Sequence, residues 1–470
     1  MSDRLRSLPS VDRLLSHERL AEAQEKWSHR AIAAIVRAEL DLVRERVKEG
    51  ARPPSADAIA GRCSARLEAL EHGRPRRVVN ATGVVIHTNL GRAPLGRSAL
   101  AEACEAAAGY CDLELELRSG ERGDRRGHVE ELMGLLLPGQ GSLVTNNNAA
   151  AMLLVLNTLA SGRDVVISRG ELVEIGGSFR VPEILERSGA RLVEVGTTNR
   201  THPRDYERAL TPGTGVILRV WPSNYRVVGY TRSVPLEELV ALGRRAGLPV
   251  VVDQGCGRLF RDSPGPTTET PVEQLLEAGA DVVCFSGDKL FAGPQAGVLV
   301  GRPELIERCA ANPLARALRP DKLTLALLAA TCRRWLARDV AGADLPAAEM
   351  LQRSAESIDR LARRLARSLR QRVPSARADV IDGVSRVGGG AAPEEDLPTR
   401  LVELEIPGLR EQRLLARLRA HDPPVVARIA KRAVVLDPRT LRGEELEIVA
   451  DAVERAARGD GEADRRAATE

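Results

Sequence analysis

The feature that most constrains the fold is an alternation of short apolar runs with helix-length segments between about residues 76 and 320. Such alternation is typical of a mostly parallel sheet that is covered by helices on both faces. We therefore predict an α/β fold whose sheet has seven strands: SLVT (142–145), DVVIS (164–168), RLVEV (191–195), GVILRVW (215–221), PVVVD (249–253), DVVCF (281–285) and GVLVG (297–301).

The regions that flank this alternation have different patterns. Residues 1–75 show apolar positions at helical spacing and predict a helical module, so the large domain covers 76–320. Residues 321–457 combine long helical stretches with a second set of strands and predict a smaller α+β domain, and the charged tail 458–470 is predicted to be disordered. We find no bilayer-length apolar run and no secretory signal, so we expect a cytoplasmic protein without a membrane segment.

The composition excludes few classes of function, but it makes the lysines informative. A net charge of +4 does not by itself indicate a nucleic-acid partner, and the seven cysteines lack metal-ligand spacing, so no metal site is expected. Only five of the 69 basic residues are lysine. Because this chain uses arginine almost wherever a positive charge suffices, each lysine is a candidate for a role that needs a primary amine.

A polar turn follows the first predicted strand. In TNNNAAAMLLVLNTLA, the residues Asn147, Asn148 and Ala149 open a helix, and the backbone N–H groups at a helix start suit a phosphate dianion. Asn before a helix is also a common cap, so the turn alone fits either role.

Two later strands end in ionisable residues. Asp253 ends PVVVD, where a carboxylate either holds a protonated pyridine nitrogen or serves as a turn residue. The next strand runs into SGDK, in which Lys289 has the amine that an imine with an aldehyde cofactor needs, and Ser286 can bond a phosphate. A loop lysine is usually a solvated charge, but the order of turn, Asp and Ser-x-x-Lys favours a cofactor site.

This order resembles the fold type I enzymes that depend on pyridoxal 5'-phosphate (PLP), the aspartate aminotransferase superfamily. Several sequence motifs are similar to those of the bacterial selenocysteine synthases, the L-seryl-tRNA(Sec) selenium transferases. They are VVNATGVVIHTNLGRAPL, GERGDRRGHVE, SRGELVEIGGSFRVPEI, VGTTNRT, SNYRVVGYT and SGDKLFAGPQAGVLVGR. These motifs cover about 80–301, and LPSVDRLL, VGGG, LPTRLVEL and VVLDPRTL extend the likeness to nearly the whole chain.

The resemblance implies a role for each matching residue. PLP would be bound to Lys289, with Asp253 on its ring nitrogen and its phosphate at Ser286, Asn147, Asn148 and Ala149. The reaction would be β-elimination from seryl-tRNA(Sec) to an aminoacrylyl form, followed by addition of selenium from selenophosphate. Asp288 would either tune Lys289 or cap the turn.

The resemblance also implies partners. The anion-binding arginines match Arg92, Arg316 and Arg319, and the spacing of the last two would place them on one helix face if the segment is helical. Residues 1–75 would recognise the selenocysteine tRNA, and the enzyme would be a homodecamer built as a pentamer of dimers. No aromatic partner for the PLP ring can be assigned, since Phe179 lies too far past its strand.

Two other functions remain open at this point. A PLP-dependent lyase of the same superfamily would act on a free small amino acid or amino sugar acid, but such relatives tend to lack the N-terminal module. A tRNA-binding protein on an inactive scaffold is disfavoured because Lys289, Asp253 and Ser286 are all present.

Overall fold

A computed structural model describes residues 2–71, 73, 75–175, 179–222, 225, 227–266, 268–337, 344–392 and 395–459. The chain divides into two compact units, Met1–Val78 and Val79–Glu470. The first unit contains the helices α1 (Ser2–Arg6), α2 (Val11–Leu15), α3 (Ala21–Lys26), α4 (His29–Lys48) and α5 (Ala56–Glu71). Ile32, Val36, Leu40 and Val43 recur at helical spacing along α4 and are buried in the core of this unit, which confirms the predicted helical N-terminus.

The second unit contains fourteen helices and sixteen strands among the described residues. The helices are α6 (Arg97–Ala108), α7 (Gly127–Leu136), α8 (Asn148–Ala160), α9 (Val181–Arg187), α10 (Pro203–Ala209), α11 (Leu236–Ala246), α12 (Val272–Glu277), α13 (Pro303–Ala311), α14 (Pro313–Leu318), α15 (Lys322–Trp335), α16 (Pro346–Gln352), α17 (Ala355–Arg372), α18 (Glu411–Ala420) and α19 (Glu445–Arg458). The strands are β1 (Val79–Asn80), β2 (Val84–Ile86), β3 (Gly141–Thr145), β4 (Asp164–Ser168), β5 (Glu174–Ile175), β6 (Phe179–Arg180), β7 (Arg191–Val195), β8 (Thr214–Val220), β9 (Val250–Gly255), β10 (Val282–Ser286), β11 (Gly297–Gly301), β12 (Arg377–Gly388), β13 (Asp396–Glu405), β14 (Val425–Val426), β15 (Arg428–Ala430) and β16 (Ala433–Leu436).

All seven predicted strands lie in one sheet, in the order β3-β11-β10-β9-β8-β4-β7. Only β11 is antiparallel to its neighbours. Both faces of the sheet are buried: on β4, for example, Val165 and Ile167 pack into one core cluster and Val166 into another. This confirms the predicted fold class, because two buried faces explain why the strands read as continuous apolar runs.

The C-terminal strands form a second sheet of five strands, in the order β15-β16-β13-β12-β2. Its edge strand β2 comes from the start of the segment that was assigned to the large domain and pairs in parallel with the end of β12. The register places Ile86 opposite Gly388, so a residue near the beginning of the unit is held beside a glycine-rich turn near its end. The predicted boundary at 320 stays a prediction.

Two further predictions concern parts of the chain that lie outside the sheets. Among the described residues, no helix is both long enough and apolar enough to cross a membrane. The predicted disordered tail begins at 458, but α19 extends to Arg458 and residues 460–470 lie outside the described part of the chain.

Candidate active site

A cavity of about 350 Å³ opens at the carboxyl ends of β8, β9 and β10. Parallel sheets commonly bind ligands at this edge, and the volume is within the usual range for a small-molecule site. The cavity brings together eight of the ten predicted site residues: Arg92, Asn147, Asn148, Ala149, Asp253, Ser286, Asp288 and Lys289.

Lys289 lies in the turn after β10 and is buried, with 7% of its surface exposed. The turn is fixed on both sides, because Gly287 N donates to Ala296 O at 2.8 Å and Leu290 N donates to Cys256 O at 2.8 Å. Burial lowers the pKa of the Lys289 amine, and the charge of Arg92 acts in the same direction. A lowered pKa increases the neutral fraction of the amine, which is the form that attacks an aldehyde and accepts a proton.

Asp253 lies near the end of β9, with its carboxyl buried in the same cavity. Asn148 Nδ2 donates to Asp253 Oδ1 at 2.8 Å. Burial raises the pKa of Asp253, and the Asn148 hydrogen bond opposes that shift. The site therefore fits PLP, because a protonated pyridine nitrogen would supply the positive charge that a buried carboxylate needs.

The turn before α8 caps the helix and also borders the Lys289 cavity. Asn147 caps the helix, since its side chain accepts a hydrogen bond from Ala150 N at 2.9 Å. The first N–H groups of a helix have no partner inside the helix, so those of Asn148 and Ala149 are free of intrahelical bonds and border the cavity. Together with Ser286 at the end of β10, they form a suitable phosphate site.

Arg92 and Asp288 form an ion pair in the cavity. Arg92 Nη1 lies 2.7 Å from Asp288 Oδ2, and Ala93 N donates to the backbone oxygen of Asp288 at 3.1 Å. The Arg92 side chain remains one-third exposed, whereas the Asp288 side chain is almost fully buried. Asp288 thus orients an arginine that reaches the cavity, and it lies directly beside Lys289 in the chain.

Arg316 and Arg319 do not lie in this cavity. They line a second cavity of about 590 Å³, which we call the arginine cavity, with Arg122, Arg125, Arg126, Glu114 and Glu307. Helix α14 ends at Leu318 and Arg319 has an extended backbone, so the expectation that the pair shares one helix face is wrong. The helix ends there because Arg319 precedes Pro320, which disfavours helical backbone at Arg319, and Leu318 O accepts a hydrogen bond from Asn146 N instead.

Sequence reasoning gave no site role to several residues around Lys289. Trp221, directly after β8, and Gln295 line the cavity. A methyl group built on Gly390 would lie 2.6 Å from Lys289 Nζ, so the backbone of Gly390 lies against the amine. The signal for Gly390 was the VGGG motif, but its partner is about a hundred residues away in sequence. The Phe179 side chain lies outside the described residues.

Comparisons with known proteins agree with this geometry. A family model described as "L-seryl-tRNA selenium transferase" matches residues 78–442, and one described as "Selenocysteine synthase N terminal" matches residues 5–44. The L-seryl-tRNA(Sec) selenium transferase of Desulfomicrobium baculatum is 47% identical over 459 residues, covering 96% of this chain and 99% of that protein. The enzyme of the same name from Geobacter sulfurreducens is 46% identical over 451 residues, covering 95% and 98%.

Among solved structures, a D-glucosaminate-6-phosphate ammonia-lyase matches with a TM-score of 0.56 at 19% identity, covering 82% of this chain and 96% of that chain. This likeness supports the fold alone. The family models and the relatives span both units, and the motifs that predicted the site lie within the matched residues. The chain therefore belongs to the L-seryl-tRNA selenium transferase family.

Proposed function

We propose that this chain is a PLP-dependent enzyme that converts L-seryl-tRNA(Sec) into L-selenocysteinyl-tRNA(Sec), with selenophosphate as the selenium donor. The observation that carries the proposal is the Lys289 cavity, which combines a buried amine, a buried carboxyl and a helix start in a chain whose full-length relatives have this activity in their names. We place the reaction in the cytoplasm because its substrate belongs to translation.

Four groups of the chain would hold PLP. Lys289 would attach it covalently, and Asp253, oriented by Asn148, would keep its ring nitrogen protonated. Its phosphate would accept hydrogen bonds from the first N–H groups of α8 and from Ser286. When bound, PLP supplies an electron sink for the charge that is left when the serine α-proton departs.

The chain itself would move the proton. Burial lowers the pKa of the Lys289 amine and so increases its neutral fraction, the form that can accept the α-proton of the substrate. Asp288 would support this step by holding Arg92 at the cavity, where the guanidinium is available to an anion. The serine hydroxyl would leave as water, selenophosphate would give up its selenium to the same carbon with release of phosphate, and a proton would return to the α-carbon.

The anion and tRNA sites extend beyond this cavity. We propose that Arg92, Arg316 and Arg319 bind selenophosphate, since guanidinium groups pair well with such an anion. Arg92 and the other two line different cavities of one chain. We propose that they act on one anion across two copies of the chain in a homodecamer. Residues 1–75 would recognise the selenocysteine tRNA.

Mixing the purified protein with seryl-tRNA(Sec), seryl-tRNA(Ser) and free serine in turn tests the proposal. A change in the visible spectrum of bound PLP is expected only with seryl-tRNA(Sec), and selenocysteinyl-tRNA should form when selenophosphate is added. Turnover of free serine with indifference to tRNA would instead support a lyase. The N-terminal unit, which matches its own family model, favours the transferase.

A further inference from the structure

A buried carboxyl lies near Lys289 without a role in the proposed reaction. Glu269 is 3% exposed. Its Oε1 accepts a hydrogen bond from Ala392 N at 2.7 Å, and its Oε2 lies 3.6 Å from Cys256 Sγ. Among the residues that the structure describes, no arginine or lysine is recorded in an ion pair with this carboxyl. Burying an acid with so few partners is costly, which suggests that the contacts it makes are needed.

One contact holds the glycine segment, which we define as Gly388–Ala392. Gly390 has φ +83°, and a methyl group on it would lie 2.6 Å from Lys289 Nζ, so a side chain here would strain the backbone and displace the amine. Gly388 has φ +123° and packs against Ile86 O in the same manner. The Ala392 N–H that Glu269 accepts is therefore two residues from the backbone that touches Lys289.

The other contact reaches the turn that carries Lys289, through Cys256. Cys256 follows β9, the strand of Asp253, and its backbone oxygen accepts from Leu290 N, directly after Lys289. Glu269 thus lies between the turn that carries Lys289 and the glycine segment that covers it. Loss of this carboxyl would leave Ala392 N without its acceptor and free the segment to move away from the amine.

We propose that Glu269 is a positioning residue that holds the glycine segment against Lys289, so that the amine stays dehydrated and correctly placed to bond the cofactor. The role rests on the proposed function of Lys289. Burial raises the pKa of Glu269, which favours the neutral acid. Glutamine has nearly the shape of that acid and keeps the acceptor for Ala392 N, so Glu269→Gln should preserve the arrangement, whereas Glu269→Ala should not.

Hydrogen exchange on the full-length, cofactor-free protein tests the contact without any activity assay. We expect the amides of residues 388–392 to exchange about tenfold faster in Glu269→Ala, as loss of one buried hydrogen bond implies, and within about twofold of wild type in Glu269→Gln. Glu445→Ala is the matched control, because it removes another buried carboxyl that accepts a backbone N–H, from Arg442, and should leave this segment unchanged.

A second readout follows the attachment of added PLP to the cofactor-free protein at several pH values. Hydration of the amine in Glu269→Ala should move the midpoint of attachment to higher pH, and Glu269→Gln should keep the wild-type midpoint. In turnover, kcat should fall in Glu269→Ala while KM for seryl-tRNA changes little. If Glu269→Ala does not fold, Glu269→Met, which fills the space without a strong acceptor, takes its place.

Wild-type exchange and a wild-type midpoint in both Ala and Met variants would overturn the proposal. So would equal losses in the Gln and Ala variants, because these would point to the charge of Glu269 instead of its hydrogen bond. Failure of wild-type protein to attach PLP at Lys289 would contradict the proposed function, yet the exchange experiment would still decide whether Glu269 holds the segment.

Discussion

The Lys289 cavity and the arginine cavity differ in how their ionisable side chains are held, although Arg92 and Asp288 also form an ion pair in the first. In the first, the side chains of Lys289 and Asp253 are buried. Burial lowers the pKa of Lys289 and raises the pKa of Asp253, so it favours the neutral form of each. In the second, one acid pairs with several arginines: Glu114 contacts the half-buried Arg125 and the exposed Arg122 and Arg319. Buried side chains that lack an ion pair suit proton transfer. An arginine that is paired at a solvent-accessible site can instead exchange its carboxylate partner for an external anion.

The largest effect should come from Lys289→Ala. It removes the amine that attaches PLP, so we expect the visible absorbance of bound cofactor and all measurable turnover to disappear. The spectrum of the reconstituted variant checks this. Arg316→Ala is the control from the arginine cavity and should keep the absorbance, while an unchanged spectrum in Lys289→Ala would show that another lysine bears the cofactor.

Asp253→Asn should have the next largest effect. The neutral amide cannot stabilise a positive charge on the ring nitrogen as the carboxylate does. We therefore expect kcat to fall by about a hundredfold or more, a loss typical of a misplaced acid-base group. PLP should still attach to Lys289, because the amine and the phosphate site are intact. Single-turnover kinetics with seryl-tRNA(Sec) measure the loss, and a near-normal rate would remove Asp253 from the mechanism.

Arg316→Ala should weaken selenophosphate use by about tenfold or more, the usual cost of one charge-assisted hydrogen bond. The expected change is in KM for selenophosphate, with PLP binding and formation of the dehydrated intermediate preserved. Arg333→Ala, which removes an exposed arginine paired with Glu102 outside the arginine cavity, provides the control. Loss of PLP from Arg316→Ala would show that the arginine cavity contributes to cofactor binding, which contradicts the separate roles assigned to the two cavities.

The smallest effect concerns stability and pH. Burial lowers the pKa of Lys289 in the folded chain below its ordinary value of 10.5. At a pH between the folded pKa and 10.5, the unfolded chain therefore carries a proton on Lys289 that the folded chain lacks. The folded state therefore loses stability as pH falls through this window. Lys289→Met removes the penalty, and its gain in Tm for the cofactor-free protein should shrink as pH rises toward 10.5. A gain that is independent of pH would contradict the lowered pKa.

The sequence could predict the elements that local patterns mark, but not the contacts between distant parts of the chain. The seven strands were recognisable because both of their faces are buried, and Asp253 and Ser286 followed from their places at strand ends. The expected shared helix face of Arg316 and Arg319 failed because Pro320 forces extended backbone on Arg319, although both arginines line one cavity. No local pattern indicated that Arg92 would line a different cavity. Local patterns predict elements, but they do not predict which distant turns meet.

Glu269 and Gly390, which lie near Lys289, illustrate the same limit. Glu269 lies in an irregular segment between β9 and α12, and its partner Ala392 is 123 residues later. Gly390 reaches the lysine because β12 pairs with β2, a contact across about three hundred residues. Neither residue carries a sequence signal for its partner, so both contacts emerge only from the packing of the C-terminal sheet against the active-site edge.

Borohydride reduction of the PLP-loaded protein, followed by peptide mapping, tests the central claim most directly. Only five lysines are present, at positions 26, 48, 289, 322 and 431, so the label can be assigned without ambiguity. We predict that reduced PLP is found on Lys289 alone. Label on any other lysine, with Lys289 unmodified, would contradict the account of this site.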